Sequence, residues 1–147
     1  MDTKLKILFL CTGNSCRSQM AEGWTRKLKS DLIEAYSAGI ETHGLNPVAV
    51  EVMAEAGVDI SGNTSKHLDT LKNVNFDVVI TVCDNARETC PFFPGAKKII
   101  HVGFNDPPAL VKKLAEQGAS EEEQRNCYRR VRDEIRAFVE TLPADLK

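Results

Sequence analysis

The sequence lacks a long apolar run. The longest clean one near the start, Ile7-Leu8-Phe9-Leu10-Cys11, is too short for a transmembrane helix or a signal-peptide core. It lacks an excess of charge as well. Nineteen basic against twenty-one acidic residues leave a net charge of -2, so no global basic field recruits nucleic acid or an anionic membrane. No internal repeat, low-complexity tract or Pro/Gly/Ser-rich linker divides the 147 residues, and one domain spanning 1–147 is expected. Five cysteines form an odd set at irregular spacing, which argues against a secreted disulfide framework. The cytoplasm is then the default, where reduced thiols are available for chemistry.

What is present is an ordinary globular composition, 42% hydrophobic and 27% charged. Residues 4–10 read as a buried strand, followed by a helix from Ser18 to Lys29 with Met20, Ala21, Trp24 and Leu28 on one face. A short strand near Ile33–Ser37 precedes a helix with full punctuation: Asn46 as N-cap, Pro47 at the first position, Gly57 as the stop. Phe76–Val82, with its β-branched run, and Lys98–Val102 read as further strands. A polar, Pro-containing loop is expected from Asn105. The last helix should run from Glu121 to Leu142, burying Tyr128, Val131, Ile135, Phe138, Val139 and Leu142, and Pro143 stops it. Apolar strands alternating with amphipathic helices imply an α/β fold, a four-stranded parallel sheet with helices on both faces. Ligands in such sheets bind beyond the carboxyl ends of the strands, where both Cys11 and Cys83 should lie.

Cys11-Thr12-Gly13-Asn14-Ser15-Cys16-Arg17-Ser18 connects a strand to a helix. A loop there turns backbone N–H groups inward, and the helix adds the positive end of its dipole. Arg17 closes the cradle with a bidentate fork for a tetrahedral oxyanion. A cysteine in that field is favoured as the thiolate, and Ser18 or Ser15 can donate a hydrogen bond to it. The bland alternative is a buried cysteine beside a surface arginine. The strand before, the Gly and Asn inside and the helix after favour the cradle.

The run C-T-G-N-S-C-R-S-Q-M-A-E-G-W resembles the active-site loop of the thioredoxin-coupled arsenate reductases, which share the low-molecular-weight protein tyrosine phosphatase fold. Tyr36-Ser37-Ala38-Gly39-Ile40, His43-Gly44-Leu45-Asn46-Pro47, Cys83, Cys90-Pro91, Asp106-Pro107 and Arg130–Ile135 extend the likeness over nearly the whole chain. Pro108–Ser120 looks several residues longer than the family usually has. The resemblance implies that Cys11 attacks arsenate while Asp106 helps expel hydroxide or water. Cys83 then attacks Cys11, arsenite leaves, and Cys90 draws the disulfide to Cys83–Cys90 for reduction by thioredoxin. It implies arsenic detoxification, a weak side phosphatase activity, a monomer, and no cofactor. A phosphatase needs one Cys, one Arg and one acid; Cys83 and Cys90 are what a reduction needs, because two thiols supply its two electrons. A tyrosine phosphatase would usually place an aromatic residue after Asp-Pro, whereas Pro108-Ala109-Leu110 follows here. A mere anion-binding module would not need Cys83, Cys90 and Asp106 together.

Asp84–Cys90 reads as a short helix, and helical steps of ~1.5 Å from Cys83 to Cys90 separate the two by roughly 10 Å, beyond the ~7 Å that a disulfide tolerates; joining Cys83 to Cys90 would unwind it. Other thiol readings are weaker. Cys11-x4-Cys16 and Cys83-x6-Cys90 fall outside the common short zinc spacings, so no metal site is expected. Cys16 reads as a packing residue, Cys127 as a half-buried structural one, Trp24 as core, and His43, His67 and His101 as structural or surface residues. Members of the resembling family can hold a potassium ion behind the loop on residues matching Asn14, Glu22 and Ser37, with a further Asp after a Thr-Ser pair. Lys66 follows Thr64-Ser65 here. Its ammonium can take the ion's place, paired with Glu22 and bonded to the Asn14 oxygen, or it can point into solvent.

Overall fold

The computed structural model describes residues 4–14, 16–42, 44–82 and 96–143. In chain order these form β1 (Leu5–Cys11), α1 (Arg17–Lys29), β2 (Ile33–Gly39), α2 (Pro47–Glu55), a 3-10 turn (Leu68–Leu71), β3 (Val78–Thr81), β4 (Ile99–His101), α3 (Pro107–Glu116) and α4 (Glu121–Glu140). The strands make one sheet in the order β2-β1-β3-β4, parallel throughout. The expected sheet is therefore present, with β3 and β4 a little shorter than the β-branched runs suggested.

Alternation along β1 sorts the core into two layers. Ile7 and Phe9 face the larger cluster, joined by Met20, Ala21 and Trp24 of α1, Val52 and Met53 of α2, and Val131, Ile135 and Val139 of α4. Leu8 and Leu10 face the other side with Phe76 and Val79, against Leu68 and Leu71 of the 3-10 turn. Trp24 is core as expected; its indole N–H donates to the Arg132 carbonyl at 3.1 Å, and the Arg136 guanidinium lies 5.0 Å from the ring centroid. Asn46 caps α2 by accepting from the N–H groups of Val48 and Ala49, and Gly57 ends it at φ +85, in the left-handed region that favours glycine.

One expectation is corrected. The stretch after Asn105, read as a loop, is helical over Pro107–Glu116. The two prolines that suggested a loop occupy the first helical turn, where their missing N–H groups are not needed. Leu110, Val111 and Leu114 then recur at helical spacing. Ser120 accepts from the Glu123 N–H at 3.1 Å to start α4, so the extra residues are a helix packed against α4. Asp84–Cys90, expected as a short helix, lies outside the described residues.

Candidate active site

β1 is buried from Ile7 to Cys11, and its register places Cys11 opposite Gly39 at the carboxyl edge of the sheet. A Cβ on Gly39 would sit 2.6 Å from the Thr12 carbonyl oxygen, 2.8 Å from the Asn14 nitrogen and 2.9 Å from the Cys11 carbonyl oxygen. Only glycine lets the loop turn this close to β2. The Gly39 N–H donates to the Lys66 carbonyl at 2.9 Å, and the Glu41 N–H to the Thr12 carbonyl at 3.0 Å. Asn14 turns the loop at φ 48, a conformation that Asn adopts more readily than most residues.

The direction of the hydrogen bond to the nucleophile candidate follows from the partners. Asn14 Oδ1 accepts from the Lys66 peptide N–H at 2.7 Å, a group that can only donate. Asn14 Nδ2 therefore faces Ser18 and donates to its Oγ at 2.8 Å. The Ser18 proton is left for Cys11 Sγ, 2.9 Å away. Of the two serines considered from the sequence, Ser18 thus reaches the sulfur; Ser15 lies outside the described residues. Ser65 Oγ also donates to the Gly13 carbonyl at 3.0 Å, tying the loop to the 63–66 segment.

Arg17 opens α1 and is buried. Its Nη1 donates to the Phe104 carbonyl at 3.1 Å and the Val82 carbonyl at 3.4 Å, which aims the guanidinium across the mouth of the loop. Its Nη2 lies 3.5 Å from Asp106 Oδ1. Asp106 precedes α3 in the capping position yet makes no side-chain capping bond; the carboxylate turns toward Arg17 instead. Cys16 likewise makes no side-chain cap for α1, whose first turn has no acidic residue. The dipole of that helix end remains available to an anion. Burial pushes the Cys16 thiol well up, with the Cys11 and Asp106 charges adding and Arg17 opposing, so Cys16 stays a neutral packing thiol.

Cys11, Arg17 and Asp106 meet in a cleft of about 390 Å³, lined also by Gly44, Leu45, Asn46, Pro47 and Pro108. No aromatic ring lines it among the described residues. Thr12 Oγ1 is buried there with no partner among the described residues. Cys83, Cys90 and His43 lie outside the described residues. Cys127 is half-buried on α4, as expected. His67 caps the 3-10 turn through Nδ1, and His101 Nδ1 lies 2.8 Å from Thr81 Oγ1, so both have structural partners.

The internal-cation expectation is corrected. Lys66 Nζ donates to the Thr64 carbonyl at 3.0 Å, and its backbone rather than its ammonium meets Asn14. Glu22 is buried, accepts from Ser37 Oγ, and pairs with Arg26 Nη2 at 2.6 Å. Arg26 stands one helical turn from Glu22, which is the shortest route for a cation to that carboxylate. Sequence reasoning also missed Gln19, which is fully buried and donates from Nε2 to the Asn14 carbonyl at 3.1 Å and the Thr64 carbonyl at 3.0 Å. The available signal was a polar residue on the inward face of α1.

A parallel sheet that carries a cysteine at the end of β1, followed by a loop, a helix and a buried arginine, defines the class of α/β protein. The chain belongs to the low molecular weight phosphotyrosine protein phosphatase family, whose model matches residues 6–147. Its relatives include a protein named arsenate reductase from Halalkalibacterium halodurans, 48% identical over 139 residues and covering 95% of each chain. Another of that name, from Bacillus licheniformis, is 50% identical over 143 residues, covering 95% of this chain and 98% of the relative. A solved structure of an arsenate reductase in the phosphate binding state matches with a TM-score of 0.76 and 33% identity over 97% of this chain and 99% of the other. One in the oxidized state gives 0.74 and 31%, over 97% and 98%.

Proposed function

We propose that this protein reduces arsenate to arsenite through a thiol relay that thioredoxin regenerates. The observation that carries the reading is the convergence of Cys11, Arg17 and Asp106 on one small cleft, with no aromatic wall among the described residues. The cradle fits a tetrahedral oxyanion, held by loop N–H groups and the Arg17 fork. Cys11 sulfur attacks arsenic, and Asp106 protonates the departing oxygen, which leaves as water. Cys83 then attacks Cys11 sulfur. The S–As bond breaks with its electron pair remaining on arsenic, which departs as arsenite, and a Cys11–Cys83 disulfide remains. Cys90 attacks Cys83, frees Cys11 and leaves Cys83–Cys90 for an external dithiol to reduce.

The likeness over 95% of both chains to proteins named arsenate reductase supports the substrate. The same three groups of the cleft suffice for slow hydrolysis of an activated aryl phosphate, which should persist in Cys83→Ser and vanish in Cys11→Ser. The relay is tested by incubating reduced protein with arsenate. Cys90→Ser should release one arsenite per chain and stall with Cys11 joined to Cys83, and Cys83→Ser should release none. Peptide mapping that found Cys11 joined to Cys16 instead would sink the relay.

A further inference from the structure

The mechanism so far uses neither Gln19, Asn63 nor Arg26, yet these three extend the bonds around Cys11 into a run whose donors all point one way. Arg26 Nη1 donates to Asn63 Oδ1 at 3.3 Å, and Asn63 Nδ2 to Gln19 Oε1 at 3.1 Å. Gln19 Nε2 donates to Asn14 Oδ1 at 3.2 Å, Asn14 Nδ2 to Ser18 Oγ at 2.8 Å, and Ser18 reaches Cys11 Sγ at 2.9 Å. The polarity is forced at both ends. A guanidinium has no acceptor, so Asn63 must turn its oxygen to Arg26 and its amino group to Gln19. The Lys66 peptide N–H fixes Asn14 in the same sense. Gln19 Nε2 faces three oxygens with two protons, one shared by the two oxygens of Asn14 and one for the Thr64 carbonyl.

We propose that Gln19 and Asn63 are positioning residues for Cys11. They hold the left-handed Asn14 turn, and they keep the run polarised so that Ser18 donates to the sulfur rather than accepting from it. The aligned dipoles start at a cation anchored on buried Glu22 and place their positive end against Cys11, each bond strengthening the next. The inference rests on the reading of Cys11 as the nucleophile.

Three near-isosteric variants test it. Gln19→Met keeps the length and removes the donor, Gln19→Glu sets a carboxylate against three oxygens, and Asn63→Asp keeps the acceptor for Arg26 but loses the donor to Gln19. The measurement is the rate of Cys11 alkylation by iodoacetamide at neutral pH in the folded protein, mapped by peptide mass, with kcat and KM for arsenate beside it. Alkylation is expected to slow by about fivefold or more, most in Gln19→Glu, with kcat falling alongside and KM moving less. A merely structural role would reduce the folded fraction and leave the rate per folded molecule unchanged. Cys11 alkylation within twofold of wild type in folded Asn63→Asp and Gln19→Met overturns the proposal. Should the Gln19 variants not fold, partly exposed Asn63 carries the test alone. Slow alkylation in the variants of a protein that never forms arsenite would leave the positioning role standing and remove arsenate as the substrate.

Discussion

At the scale of single residues, the site depends on one atom that must be present and one that must be absent. Ser18 Oγ is the donor to Cys11, and losing one partner of a buried hydrogen bond costs about 1–3 kcal/mol. Ser18→Ala should therefore lower kcat/KM for arsenate by about tenfold to a hundredfold, read from single-turnover arsenite release, and should also lower the melting temperature, because buried Asn14 Nδ2 loses its acceptor. The absent atom is the Cβ of Gly39. Gly39→Ala would push three backbone groups of the loop, none of which can rotate away; overpacking of this kind costs about 1–3 kcal/mol. Activity should fall further than stability, and a variant with wild-type turnover would contradict the close approach. The cradle itself was legible because Cys11, Arg17 and Ser18 act through a contiguous loop. Gln19 and Asn63 were not, since their meeting depends on chain segments 44 residues apart. Of the two alternatives for Lys66, the internal cation failed for a related reason: a sequence position does not say whether the ammonium or the peptide N–H faces inward.

At the scale of elements, α4 braces the cleft wall. Asn46 Nδ2 donates to Tyr128 Oη at 3.1 Å, and burial pushes the Tyr128 hydroxyl up to about 12, so it stays neutral at working pH. Tyr128→Phe leaves Asn46 able to cap α2 but not held from α4. A loss of about 1 kcal/mol in urea unfolding, with a modest rise in KM for arsenate, is the expected outcome. Along the outer face, Arg129 pairs with Glu55 at 2.8 Å and also with Glu122, and Arg132 pairs with Glu55 at 3.2 Å. The Arg129 hydrogen bond, against a smaller desolvation effect, holds the Glu55 carboxyl below its ordinary 4.5. The unfolded chain then binds more protons in this range, so the contribution is complete above about that pH and is lost as pH falls through the lower folded value. Wild type should exceed Glu55→Gln in urea midpoint at neutral pH, and the gap should close in acid and shrink with salt. Equal gaps at both pH values would count against the pairing. The helices with alternating caps and apolar stripes were legible; α3 was not, because paired prolines mark a helix start only when the capping residue ahead of them is recognised.

At the scale of the whole molecule, the sheet order and the two-layered core follow from apolar strands that must be covered on both faces. Ile135, fully buried on α4 within the larger layer, tests that cohesion: Ile135→Ala should cost about 2–5 kcal/mol, measured by chemical denaturation. Central β1 lies between β2 and β3 and has no exposed side chain from Ile7 to Leu10. Its amides should exchange with solvent deuterium only when the entire protein opens, the slowest class of exchange. Cys11 is the next residue along. The reactive sulfur is thus fastened to the last part of the chain to come apart, so activity in rising urea should persist until the global transition and vanish with it.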